Sequence, residues 1–123
     1  MNKVILIGRL TRDPELKHTP NGTATTNFTL AVDRPFKNQQ GEREADFIDC
    51  VAWRKLAETI ANNLKKGKLI ATEGRLQKRS YEAKEGGKRW VTEVIVDNVQ
   101  FLEKKDYAEE QGQPDGSLEE VPF

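Results

Sequence analysis

The stretch Phe47-Ile48-Asp49-Cys50-Val51-Ala52-Trp53, which runs directly into Arg54-Lys55-Leu56-Ala57, reads as a strand feeding a helix. Successive side chains of a strand point to opposite faces. Ile48, Cys50 and Ala52 are compact and apolar and suit a tight interior, which leaves Phe47, Asp49, Val51 and Trp53 on the other face. Two aromatics beside an aspartate make a poor core and a good surface for a ligand with flat rings. Packing under a loop or against a neighbouring subunit is the other use of such a pair, and the surrounding chain has to decide.

Beyond the strand, Leu56, Ile60 and Leu64 recur every four residues with Ala57 and Ala61 beside them, which predicts an amphipathic helix from Lys55 to Lys66. Lys65 and Lys66 complement its C-terminal dipole, and Gly67 fits a left-handed cap. Upstream, Val4 to Leu10 reads as a first strand rather than a signal peptide, and it breaks at Thr11-Arg12-Asp13-Pro14. Asn21-Gly22 is a strong hairpin signal. It precedes a strand from Thr25 to Val32 in which Phe28, Leu30 and Val32 alternate with Asn27, Thr29 and Ala31. Asp33 to Asp46 is polar and predicts a long exposed hairpin loop holding Phe36.

Downstream, Lys68 to Tyr81 reads as a strand with Ile70, Thr72, Gly74 and Leu76 on one face and Ala71, Glu73, Arg75, Gln77, Arg79 and Tyr81 on the other. A tip at Glu85-Gly86-Gly87-Lys88 leads to a last strand from Trp90 to Leu102, with Trp90 expected in structural packing. Three strands, a helix and two strands is the order of an OB-fold: an all-β, five-stranded barrel with one α-helix between strands 3 and 4. A split sheet packed on one helix fits the same order.

A chain of 123 residues has room for one such domain and a short tail. No apolar run approaches the roughly 18 residues of a membrane span. A single cysteine excludes an internal disulfide and suits a reducing cytoplasm. Net charge is zero but unevenly spread. Residues 1–105 hold all 20 Lys and Arg against 14 Asp and Glu, while the last 18 residues hold six acids and no base. That pattern predicts a basic binding body over 1–105 and a disordered acidic tail over 106–123.

Catalytic material is scarce. His18 and Cys50 are the only histidine and cysteine, no cluster has metal-ligand spacing, and the glycines make no phosphate loop, so neither enzyme, metal nor cofactor is expected. Binding material is not scarce. Phe36, Phe47, Trp53 and Tyr81 fall outside the expected core, accompanied by Arg34, Lys37, Lys55, Arg75 and Arg79. Aromatic platforms along a basic groove are what single-stranded nucleic acid requires, because it presents bare base faces and a phosphate chain.

At these residues the chain resembles bacterial and phage single-stranded DNA-binding proteins. The likeness runs through Asn2-Lys3-Val4-Ile5-Leu6-Ile7-Gly8-Arg9-Leu10, Asp13-Pro14-Glu15, Pro20-Asn21-Gly22, Trp53-Arg54-Lys55-Leu56-Ala57-Glu58 and Glu73-Gly74-Arg75-Leu76. It implies sequence-nonspecific binding of single-stranded DNA by an OB-fold, with Phe36, Phe47, Trp53 and Tyr81 as stacking residues, in replication, recombination and repair. It also implies that Lys3, Lys55, Lys66 and Arg79 match or adjoin phosphate contacts, and that the protein is a homotetramer in the cytoplasm of a bacterium or of a phage's host. The tip Glu119-Glu120-Val121-Pro122-Phe123 is similar to the family's acidic terminus, which docks on replication and repair proteins. Two readings compete with DNA binding: an OB-fold adaptor that works through the tail, and an RNA-binding module.

Overall fold

The computed structural model describes residues 1–103. Its elements are β1 (Val4–Leu10), β2 (Glu15–His18), β3 (Ala24–Lys37), β4 (Arg43–Trp53), α1 (Arg54–Asn63), β5 (Leu69–Glu82) and β6 (Lys88–Phe101). Five strands form a barrel in the order β1-β5-β6-β4-β3, shut where β1 meets β3 at Arg9↔Ala31 and Leu10↔Leu30. The helix falls between the third and fourth barrel strands, as the OB-fold reading expects.

The sequence reading missed β2, which lies antiparallel outside β3. Its four residues are all exposed, so no apolar alternation marks it. At the β2–β3 turn only Gly22 adopts a positive φ, 87°. Gly22 N–H donates to the Thr19 carbonyl at 2.8 Å and Thr19 N–H to the Thr23 carbonyl at 2.9 Å. A glycine bulge therefore replaces the two-residue turn that Asn-Gly suggests.

Leu10, Phe28, Leu30, Cys50, Ala52, Ile70, Val94 and Val96 fill the barrel, and Ala57, Ile60 and Leu64 close it from the helix side. The helix is shorter than its periodicity predicts. It ends at Asn63, Leu64 is extended with φ −119°, and Lys65 and Lys66 lie beyond the last turn. The extended backbone at Leu64 accompanies a side chain only 5% exposed and packed in the core, so burial of one leucine outweighs another helical turn. Gly67, with φ 89°, sits instead in the turn closed by Lys68 N–H on the Lys65 carbonyl at 3.1 Å.

Two glycines let the barrel close. A Cβ on Gly8 would lie 2.6 Å from the Ala31 carbonyl oxygen, at the place where β1 crosses from β5 to β3. A Cβ on Gly74 would lie 2.0 Å from the Ile95 carbonyl oxygen, beside the register shift between Glu73 and Gly74.

The hairpins β3–β4 and β5–β6 extend from one end of the barrel. β4 and β6 run parallel, so the turns preceding them share an end, and α1, which follows β4, caps the other. Their pairing covers only Cys50↔Val94 and Val51↔Ile95; N-terminal to it each hairpin continues as a separate two-stranded ribbon. The loop expected over 33–46 is thus mostly strand, with its turn over residues 38–42. Asn38 Oδ1 accepts from Gln40 N–H at 3.0 Å and Glu42 N–H at 2.8 Å and holds that turn. The polar sequence hid the strands because this ribbon stands clear of the core and has no buried face to pattern.

Gly74→Ala forces a methyl into the Ile95 backbone and is expected to cost roughly 1–3 kcal/mol, the usual penalty of overpacking. Urea unfolding measures it, and an unchanged midpoint would show that the close approach does not constrain the barrel.

Candidate nucleic-acid interface

Cross-strand register places Asn27 of β3, Val51 of β4, Ile95 of β6 and Arg75 of β5 in one row over the outside of the barrel. Val51 and Ile95 are buried at 5% and 8% exposure although they point away from the main core, so they form an apolar floor. Along β4 the same face carries Phe47, 68% exposed, and Trp53, 41% exposed. Six residues of strand separate them, about 20 Å at the usual rise. On β5 that face continues through Gln77 and Arg79 to Tyr81, which is half exposed. Phe47, Trp53, Arg75, Arg79 and Tyr81 therefore share one face, as the strand alternation predicts.

Phe36 is brought to a different place. It lies on β3, 80% exposed, in a groove with Arg34, Pro35, Lys37, Asn38, Glu44 and Asp46. Glu44 and Asp46 alternate with Ala45 and Phe47 along β4, so Phe36 and Phe47 occupy opposite faces of the β3–β4 ribbon.

Several of the expected cations are already paired. Arg34 Nη2 and Nε donate to Asp46 Oδ1 at 2.8 and 3.1 Å, and Nη1 to Glu44 Oε1 at 3.0 Å. The hydrogen bond from Arg34 holds the Asp46 carboxyl below its ordinary pKa and raises that of Arg34 in turn. Arg79 Nε donates to Glu93 Oε2 at 2.8 Å, and Glu93 is itself buried. Lys3 pairs with Glu73 on the β1 side of the barrel, and their hydrogen bond raises the lysine and lowers the glutamate. Lys37, Lys55, Lys66 and Arg75 have no ion pair among the described residues. Lys55 follows Trp53 on the first turn of α1, whereas Lys66 lies past the helix, its N–H donating to Asp13 Oδ1 at 2.8 Å. Lys3 and Lys66 are thus off the strands that carry the aromatics.

Asp49, between Phe47 and Trp53, invites pairing with Arg75 or Arg79, but β6 separates β4 from β5. Thr29 Oγ1 donates to it instead at 3.1 Å, from the directly opposed position on β3. Trp90 overturns an expectation as well. It is 62% exposed, with Lys78 Nζ 5.8 Å from its ring centroid, and is not packed in the core. Its alternation with Val94 and Val96 points inward, but at Trp90 the ribbon has passed the end of the barrel and nothing in the core covers it.

Cys50 lies in the core at 2% exposure, where burial pushes its thiol up to about 12, while His18 is exposed on β2; they make no nucleophile–base pair. Among the described residues no group of His, Cys, Asp and Glu could hold a metal.

Barrel topology places the chain in the OB-fold class, with an aromatic, guanidinium-bearing outer face. Residues 1–102 match the single-strand binding protein family, and the chain belongs to that family, a non-enzymatic one. It is 65% identical over 105 residues to a single-stranded DNA-binding protein of Halalkalibacterium halodurans, covering 85% of this chain and 62% of that one. The single-stranded DNA-binding protein of Bacillus cereus is 58% identical over 122 residues, covering 99% and 70%. Single-stranded DNA-binding protein A of Bacillus subtilis is 61% identical over 105 residues, covering 85% and 61%. The chain spans between 61% and 70% of the length of these relatives.

Because Asp46 is lowered from 3.8 on folding, its pair with Arg34 stabilises the protein above the unfolded-state value and is lost as pH falls through the folded one. Asp46→Asn is expected to unfold at lower urea than the parent protein at about pH 7, and the two should converge as pH falls below the lowered folded-state value. A constant offset across that range would show that the carboxylate charge is not responsible.

Proposed function

We propose that this protein binds single-stranded DNA without regard to sequence. The observation that carries the proposal is the outer face of β4, β6 and β5, where exposed Phe47, Trp53 and Tyr81 surround the Val51–Ile95 floor with Arg75 and Arg79 beside it. Bases stack on the rings, and the apolar floor keeps water from competing. Phosphates meet Arg75, Lys37 and Lys55, which have no ion pair among the described residues, and Arg79, whose Nε is held by Glu93. Phe36 stacks from the β3–β4 ribbon. Arg34 contributes less than its charge suggests, since phosphate must displace two carboxylates from it. Lys3 and Lys66 act from beside the face. The relatives, all called single-stranded DNA-binding proteins, support the same reading.

The binding body is residues 1–105, and 106–123 serve as a tail that recruits replication, recombination and repair proteins. The tail lies outside the described residues. Its support is the tip, Glu119-Glu120-Val121-Pro122-Phe123, which offers charge followed by an apolar plug, and the likeness to the Bacillus cereus protein, which extends over 99% of the chain. Assembly to a homotetramer is supported by β1, whose edge away from β5 pairs with no described strand from Val4 to Gly8 and whose Ile5 and Ile7 are exposed. No described helix is long and apolar enough to cross a membrane, and the cytoplasm is the proposed site of action.

Poly(dT) is expected to quench tryptophan fluorescence at low salt, with RNA and duplex DNA binding more weakly. Phe47→Ala should lose roughly 1–3 kcal/mol of binding, the usual worth of one stacked base. Failure of poly(dT) to bind would overturn the proposal, and tighter RNA binding would reassign the ligand. Deleting Val121 to Phe123 should leave DNA binding intact and abolish capture of repair or replication partners; undiminished capture would remove the docking role. Light scattering should give four chains per particle.

A further inference from the structure

We infer that the β5–β6 ribbon stacks bases on both of its faces, Tyr81 on the outer face and Trp90 on the inner, so that bound single-stranded DNA crosses the ribbon rather than running along one side of it. The inference rests on the proposed DNA binding and extends it to a face that the strand alternation had assigned to the core.

An isolated exposed aromatic means little. Trp90 differs because of what surrounds it. Register is regular from Gly74↔Val96 to Glu82↔Lys88, so Leu76, Lys78, Ser80, Trp90 and Thr92 all lie on the face that begins, inside the barrel, with Val94 and Val96. The ribbon carries that face beyond the barrel end, where Trp90 is 62% exposed and Leu76 47% exposed. Lys78 Nζ stands 5.8 Å from the Trp90 ring centroid, and Lys78 makes no ion pair among the described residues. A flat ring beside an ammonium with no ion pair among the described residues puts on the inner face the same kinds of group that Tyr81 and Arg79 supply on the outer face. It suits the same ligand: the ring takes a base and the cation the adjoining phosphate.

The neighbouring ribbon has the matching feature. Phe36 lies on the face of β3–β4 opposite Phe47, while Lys37, directly opposed to Arg43, has no ion pair among the described residues. Because β4 and β6 pair only at two positions, the ribbons are independent beyond that point and each presents an inner and an outer aromatic. The arrangement gives the strand continuous stacking partners as it turns from the outer face around a ribbon. A second chain docked on Trp90 would have to cover Lys78 and leave its ammonium without water, a costly burial for an unpaired charge.

Single-tryptophan variants test this. Trp53→Phe keeps a ring at 53 and leaves Trp90 as the sole tryptophan. Binding is followed independently by the anisotropy of a labelled (dT) oligomer. Poly(dT) is expected to quench the Trp90 emission by more than half and to shield it from acrylamide. Trp90→Ala should weaken (dT) binding roughly 5- to 150-fold, the range for one stacked base, while Trp90→Phe restores most of it. Lys78→Gln should reduce the salt dependence of binding by about one phosphate contact. Anisotropy showing that the oligomer binds while Trp90 emission and accessibility stay unchanged would overturn the two-faced ribbon and leave the outer face standing. So would a change in particle mass by light scattering for Trp90→Ala with affinity preserved, which would make Trp90 a subunit contact. Absence of any anisotropy change with the parent protein would instead remove the DNA-binding proposal itself.

Discussion

Everything that the outer face does depends on one tight backbone contact. At Gly74 the β5 chain lies so close to the Ile95 carbonyl that a single methyl would not fit, and Ile95 is the residue that β6 pairs with Val51 of β4. Three strands therefore meet at one point, β5, β6 and β4. The same point fixes the floor between the aromatics, because Val51 and Ile95 are buried there while Phe47 and Trp53 stand up on either side. It also fixes the ribbons. Parallel pairing between β4 and β6 is only two residues long, so the hairpins on either side of it are released from the barrel and project as separate arms.

The electrostatics follow from this frame more than from composition. An excess of cations over residues 1–105 suggests a broadly basic surface, yet the fold matches Arg34 to Asp46 and Glu44, Arg79 to Glu93, and Lys3 to Glu73. These pairs are mostly exposed, so each contributes little stability. Their consequence is that fewer cations are unpaired among the described residues than the composition suggests. Lys37, Lys55, Lys66, Arg75 and Lys78 have no ion pair among the described residues, which a count of Lys and Arg does not show. Asp49 shows the complementary device. The carboxylate between Phe47 and Trp53 is held by the hydroxyl that Thr29 directs at it.

Sequence by itself determined the helix, most barrel strands and the outward face of β4, because each depends on a local period with a buried side: Ile48, Cys50 and Ala52 against Phe47 and Trp53, or Phe28, Leu30 and Val32 along β3; the order of elements fitted a split sheet as well, and the contact of β1 with β3 makes it a barrel. Where that buried side was missing, the sequence was silent. The strand β2 and the β3–β4 ribbon have no core face, and their polar residues read as turns and loops. At the end of α1, continued helical periodicity disguised an extended Leu64 whose burial depends on neighbours distant in sequence. Only the tertiary structure decided which cations are already paired, that β6 separates Asp49 from the arginines of β5, and that Trp90, inward by alternation, stands uncovered. The physical reason is common to these cases. Alternation gives the direction of a side chain relative to its own strand, whereas burial and pairing depend on where the barrel ends and which strands lie side by side.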